Sequence, residues 1–311
     1  MAEQSGDTAF TFAGRGGQQI FVRKWAPAFG TPAKAIVQIA HGAAEHSLRY
    51  ARVAKFLNAA GYLVYADDHR GHGRTAGALE RAGIAGLDGW NAMLADLKQL
   101  TEIITTASPG LPIFLLGHSM GSLMAQRYTQ LWGNGLRGVV LSGTFGSIPH
   151  LDATIAALEP QAHGDTADLP CAPFSESFAS FNEPFAPGKT GYEWLSRDAA
   201  EVQKYVDDRW CGFPFSNRLV ADLMKGARDA WAAENETRIP KDLPILIMVG
   251  DQDPVGGNPS TVRELIGRYT AGGLEHITSR FYPGARHELL NETNRDAVQQ
   301  DLLEWLDARL G

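Results

Sequence analysis

Cysteine is nearly absent from this chain of 311 residues, where only Cys171 and Cys211 occur. Two thiols cannot build a disulfide framework or a cysteine-rich zinc module. Long apolar runs are missing as well. Stretches such as Ala35–Ala40 and Leu243–Val249 are strand-sized, well short of the roughly 18 residues that a membrane-crossing helix requires. There is no basic run, and Asp plus Glu number 35 against 28 Lys plus Arg, for a net charge of -7. That balance excludes a protein whose main task is gripping phosphate backbones, so no nucleic-acid partner is expected. Met1 to Thr11 carries no apolar segment after a basic start, which makes a cytoplasmic location the default expectation.

What is present is globular, with 44% hydrophobic and 20% charged residues, 34 Gly and 16 Pro. The length allows two domains or one large domain carrying an insertion. Short β-rich runs alternate with segments of helical period, the pattern of a mainly parallel sheet covered by helices on both faces. The expected strands are Gln19 to Trp25, Ala35 to Ala40, Tyr62 to Ala66, Pro112 to Leu116, Gly138 to Ser142, Pro244 to Val249 and Ile277 to Tyr282. Between them, Tyr50, Val53, Leu57 and Ala60 share one face of a helix that Gly61 would end. Trp90, Met93, Leu97, Leu100 and Ile104 line another behind an Asp88 cap, and Val298, Leu302, Trp305 and Leu306 a third near the C-terminus.

The alternation stops after Ser142. From Phe145 to Trp231 the chain holds seven of the 16 prolines and 12 of the 29 aromatics. Proline breaks long helices and aromatics supply apolar surface, so this stretch reads as short helices and loops packed over something. The expected organisation is a core from 1–144 and 242–311, with a cap over the end of the sheet from 145–241. An independent second domain is the alternative.

The chemistry is concentrated in Gly117-His-Ser119-Met-Gly121, which follows an apolar strand and precedes a helical segment. A serine on such a sharp turn needs neighbours without a Cβ so that backbone can approach closely. A serine hydroxyl is a poor nucleophile at neutral pH and requires a base and a group that orients the base. Asp253 in Gly250-Asp-Gln-Asp-Pro254 follows one strand, and His287 in Pro283-Gly-Ala-Arg-His287 follows the next. Asp251 competes with Asp253, and Pro254, which fixes a turn after the strand, favours Asp253. A tetrahedral intermediate also needs N–H donors. Met120, directly after the serine, offers one, and Ala43, aimed by Gly42, offers the other. His41 reads either as a loop-bonding residue or as a substrate contact.

Together, His41-Gly-Ala-Ala-Glu-His-Ser-Leu-Arg-Tyr50, Asp68-His-Arg-Gly-His-Gly-Arg74, Gly117–Gly121, Gly250–Asp253 and Tyr282–His287 resemble the monoacylglycerol lipase and bacterial lysophospholipase branch of the α/β hydrolases. The order Ser119, Asp253, His287 is the one expected there. The resemblance implies an α/β-hydrolase fold with a mostly parallel eight-stranded sheet, a helical lid before the acid-bearing strand, and hydrolysis of a fatty-acid ester through an acyl-enzyme. It implies Ser119, Asp253 and His287 as the triad and Ala43 and Met120 as oxyanion donors, with a small ester or lipid as substrate. One departure is Ala44, where many relatives carry glycine.

No cofactor and no metal enter this scheme. His69 and His72 belong to no His-Glu-x-x-His pattern or matched cluster. Among the aromatics of the insertion, Phe174, Phe178, Phe181, Trp210 and Phe213 are the expected acyl-pocket residues. The exposed lid could touch a membrane surface transiently, although no basic amphipathic helix supports it. A short-chain carboxylesterase or thioesterase is the alternative enzyme, and a receptor-like binding protein on the same fold the non-enzymatic one.

Overall fold

The computed structural model describes residues 7–311. Eight strands form one sheet: β1 Thr8–Ala13, β2 Gln19–Trp25, β3 Ala35–Ala40, β4 Tyr62–Asp67, β5 Ile113–His118, β6 Gly138–Ser142, β7 Ile245–Gly250 and β8 Ile277–Tyr282. Their order is β1-β2-β4-β3-β5-β6-β7-β8. β2 runs antiparallel to β1 and β4, and the other pairs are parallel. β3, β5, β6 and β7 are buried along their whole length, as parallel strands covered on both faces must be. The sequence reading omits β1. Its Thr-Ala-Phe-Thr-Phe-Ala pattern leaves every second residue exposed at the edge and only half-buries Phe10 and Phe12.

The helices are α1 Ala51–Ala59, α2 Gly89–Ala107, α3 Met120–Trp132, α4 Leu151–Leu158, α5 Ala172–Ser180, α6 Ala199–Asp207, α7 Asn217–Ala230, α8 Ser260–Ala271 and α9 Arg295–Asp307, beside shorter turns. Asp88 occupies the N-terminal boundary of α2 but does not cap it. Its backbone is left-handed (φ 51°) and its carboxylate serves Arg15 and Asn91. Asp222 of α7 accepts the Gly89 N–H at 2.8 Å instead. No helix of the described residues is long and apolar enough to cross a membrane.

Residues 145–241 leave the sheet after β6 and return before β7. The structure divides them. α7 buries Leu219, Val220, Leu223, Met224 and Ala227 in the same core as Trp90, Met93 and Leu97 of α2 and Leu123 of α3, so it belongs to the helical layer of the sheet. The preceding part holds α4, α5 and α6, and Ile155 and Leu158 of α4 also join the core that α7 fills. It reaches the carboxyl ends of β3 and β5, where Leu158, Phe174 and Phe178 share a cavity with Ser119 and the Tyr205 hydroxyl donates to the Ala44 carbonyl. There β3 and β5 diverge in connection, the switch point at which open α/β sheets place their ligands.

Candidate active site

β3 and β5 are in register, Ala40 opposite Gly117, so the loops leaving them start level. At the end of β5 the chain turns at Ser119, with φ 54° and ψ -119°, and α3 begins at once with Met120. That conformation is strained for any residue with a side chain. The flanking glycines permit it by their lack of bulk. A Cβ on Gly117 would lie 2.3 Å from the Gly121 carbonyl oxygen, and one on Gly121 would lie 2.0 Å from that of Ala40. The Ser119 N–H donates to Ser142 of β6 at 3.0 Å.

His287 Nδ1–H donates to Asp253, at 2.9 Å from Oδ2 and 3.1 Å from Oδ1. Both residues are buried, at 2% and 0% exposure. Asp251 instead accepts the Gly284 N–H at 2.7 Å and holds the loop, so the two acids have different partners. His287 follows β8, the outermost strand on this side, yet sits near the end of β5. Its loop folds back across the ends of β7 and β6, where glycines make room. A Cβ on Gly250 would come within 2.2 Å of the Ala285 oxygen, and one on Gly143 within 2.7 Å of the His287 oxygen. The sequence reading missed this role; a glycine closing each of two adjacent strands was the available signal.

The imidazole of His287 packs against His118, next to Ser119, and against Trp194, with ring centroids at 4.8 and 5.1 Å. Among the described residues no hydrogen bond joins the Ser119 hydroxyl to His287. Such contacts commonly tighten only when substrate binds. Burial disfavours the charged ring, but the Asp253 carboxylate, by charge and hydrogen bond, and then Glu288 and Glu45 outweigh it, so the pKa of His287 lies above its ordinary value. Burial and the neighbouring His287 push His118 the other way.

The loop after β3 is held from several sides. His41 accepts the His69 N–H at Nε2 (3.0 Å) and donates from Nδ1 to the Gly42 carbonyl (2.8 Å). Burial, with His69 close by, drops its pKa to about 4, which keeps it neutral and suited to binding backbone. Ala44, the position that departs from glycine, is left-handed at φ 52°, a conformation that costs a residue with a Cβ roughly 1–2 kcal/mol. Its N–H donates to His72 at 3.3 Å, and its carbonyl accepts from Gly212 N (3.0 Å) and Tyr205 Oη (3.1 Å).

Ala43, Ser119 and Met120 open onto a cavity of about 840 Å³. Its wall takes Phe174, Phe178 and Phe181 from α5 and the turn after it, Trp194, and Val220, Leu223 and Met224 from α7. Trp210 and Phe213 are not part of that wall. Phe213 packs edge-on against His72 at 5.2 Å and beside Phe215, while Trp210 is half-buried outside it. No charged side chain lines the cavity among the described residues.

One group among the described residues has the makings of a metal site: His46, Asp208 and Cys211, with ligand atoms within 4.8 Å of one another. His46 Nε2 and Asp208 Oδ2 already bond each other at 2.9 Å, and burial pushes the Cys211 thiol well above its ordinary pKa, away from the thiolate a metal needs.

Comparison with known proteins places this geometry. The family model described as serine aminopeptidase, S33, matches residues 31–294. The chain belongs to this family. Within the S33 hydrolases it is 41% identical to the monoglyceride lipase of Mus musculus over 304 residues, 94% of this chain and 88% of that protein. It is 30% identical to the monoacylglycerol lipase of Mycolicibacterium smegmatis over 307 residues, 96% and 97% of the two chains. The crystal structure of a thermostable carboxyl esterase from Bacillus coagulans in complex with glycerol superposes with a TM-score of 0.91 at 30% identity, covering 98% of this S33 hydrolase and 99% of the esterase. The eight-stranded sheet is therefore that of an α/β hydrolase.

Proposed function

We propose that the protein hydrolyses esters of fatty acids, of the monoacylglycerol or lysophospholipid type, through Ser119, His287 and Asp253 and an acyl-enzyme intermediate. At the coarser level it is a carboxylic ester hydrolase, as its lipase and esterase relatives are. The observation that carries the finer reading is the uncharged, aromatic-walled cavity reaching Ser119 beside a buried Asp253–His287 pair. An acyl chain gains by leaving water for such a wall. The free α-amine of an aminopeptidase substrate would find no counter-charge there, which weighs against the reaction in the family's description.

In this reading the ester carbonyl lies against the N–H groups of Ala43 and Met120. Ser119 attacks as His287 takes its proton. His287 then protonates the leaving alcohol, and a water molecule repeats the sequence to free the acid. Asp253 stays ionised and holds the ring. The lid is the part of 145–241 that precedes α7, and contact of the lid with a lipid surface belongs to the same reading.

A fluorophosphonate probe tests it. Labelling occurs at Ser119 and vanishes in Ser119→Ala, and activity in that variant falls by about four to six orders of magnitude. Rates on p-nitrophenyl esters from acetyl to palmitoyl then rank the chain lengths. A steep preference for acetyl sinks the lipase reading and leaves the short-chain esterase.

A further inference from the structure

Behind His118 lies a set of ionised groups that the acid–base scheme does not use. Glu45, Arg49 and Glu288 meet there with side chains 3%, 11% and 6% exposed. Arg49 Nη1 donates to Glu45 Oε2 at 2.6 Å and to Glu288 Oε1 at 2.5 Å, and Nη2 donates to Glu288 Oε2 at 2.8 Å. The two carboxylates belong to different loops. Glu45 closes the loop after β3 from within, accepting the Gly42 N–H at 2.5 Å and the Tyr50 hydroxyl at 2.8 Å. Glu288 directly follows His287.

β3 and β8 stand four strand positions apart, about 19 Å at the usual interstrand spacing. No sheet ladder therefore joins the loop that presents the Ala43 N–H to the loop that presents the imidazole. We infer that Arg49 is a positioning residue that locks these two loops together, so that the oxyanion donor and the general base keep their mutual placement. The inference rests on the Ser119–His287–Asp253 reading.

Several observations fit only a forked cation here. Two buried carboxylates brought this close are costly without a cation between them. Burial works against the charge on Glu45, yet Arg49, His118, His41 and the Gly42 N–H hold its carboxyl well below the usual range. Arginine reaches both acids at once through a planar fork, whereas lysine is a point charge on a flexible stem. The guanidinium also lies over the Tyr205 ring at 4.9 Å, and the Tyr205 hydroxyl holds the Ala44 carbonyl. The lid thus braces the same junction.

The groups facing His287 are Asp253 after β7, Glu288 on its own loop, Glu45 after β3 and His118 on β5, with Arg49 paired to both glutamates. Glu288 and Glu45 both favour the protonated ring. Removing the charge of Glu288 lowers the pKa of His287, whereas exchanging Arg49 for lysine keeps the charge and loosens the geometry.

The test measures kcat, KM and melting temperature of the full chain on p-nitrophenyl butyrate across pH, for the wild type, Arg49→Lys and Glu288→Gln. In Arg49→Lys, kcat falls about 10- to 100-fold, as an ångström-scale misplacement would cause, while KM moves less than about threefold. Its acidic limb stays in place. In Glu288→Gln, which removes one of the two acids that the fork joins, kcat falls by a similar factor and the acidic limb of kcat/KM shifts to lower pH. A wild-type kcat in either variant, or a change confined to melting temperature, overturns the proposal. Should either variant fail to fold, the other still decides. Full activity in Ser119→Ala would instead bring down the catalytic reading itself.

Discussion

Gly250→Ala isolates the way His287, the proposed general base, reaches its place. A Cβ at 250 would stand 2.2 Å from the Ala285 carbonyl oxygen and 2.4 Å from that of Arg286, well inside the 3.4 Å at which ordinary contact begins. Both neighbours are backbone, so no rotamer relieves the clash. Gly250 closes a strand and is not in the left-handed region, which leaves the clash as the whole cost. Overpacking of this kind destabilises by about 1–3 kcal/mol. The larger effect falls on rate, because the atoms pushed away are those that carry His287, and a displacement of about 1 Å costs on the order of 100-fold in kcat. Gly250 does not line the cavity proposed to hold the substrate, so KM stays within about threefold. Gly267→Ala is the control. It lies exposed in α8 with nothing within 4 Å of its added Cβ and gains up to about 1 kcal/mol of helix propensity. Steady-state kinetics with urea denaturation measures both. A Gly250→Ala enzyme with unchanged kcat and unchanged stability would show that the loop does not cross the end of β7 as described.

Asp253→Asn lowers kcat by about 10⁴, since an amide cannot hold the Nδ1–H tautomer, whereas Asp251→Asn leaves kcat nearly unchanged because its amide oxygen still accepts the Gly284 N–H; equal losses in the two variants would refute the assignment. Acidification removes activity by protonating His287, and because its pKa is raised the midpoint of kcat/KM lies above the ordinary imidazole value of about 6.5. Stability runs the other way: the contribution of His287 is complete below the unfolded-state pKa and fades as pH rises through the folded one, which denaturation at several pH values measures. Val220→Phe, in the cavity wall, reduces the palmitoyl-to-butyryl rate ratio by about tenfold, while Trp210→Ala, outside the wall, leaves that ratio alone; the reverse result would relocate the acyl pocket.

Much of the fold was legible because parallel strands covered on both faces leave continuous apolar runs. β3, β5, β6 and β7 are such runs, and each stands within two residues of its expected bounds. β1 was not legible, since an edge strand with four of its six residues exposed offers only a short, weakly patterned run. Asp88 failed as a cap because capping depends on where a distant carboxylate lands, and Asp222 lands there first. The aromatics of 145–241 show the same limit. Phe178 and Phe213 are alike in composition and context, yet one faces the cavity and the other packs on His72.

By itself the sequence determined the local chemistry: a serine between glycines after a buried strand, an acid before a proline, and a histidine after the next strand. Each is dictated by neighbours within a few residues, so each is written in the chain. Tertiary structure alone decided which aromatics wall the cavity, how Gly143 and Gly250 let the histidine loop cross two strand ends, and that Arg49 and Glu288, 239 positions apart, share a hydrogen bond. Those are contacts between distant segments, and their energies exist only once the sheet has brought the loops to a common edge.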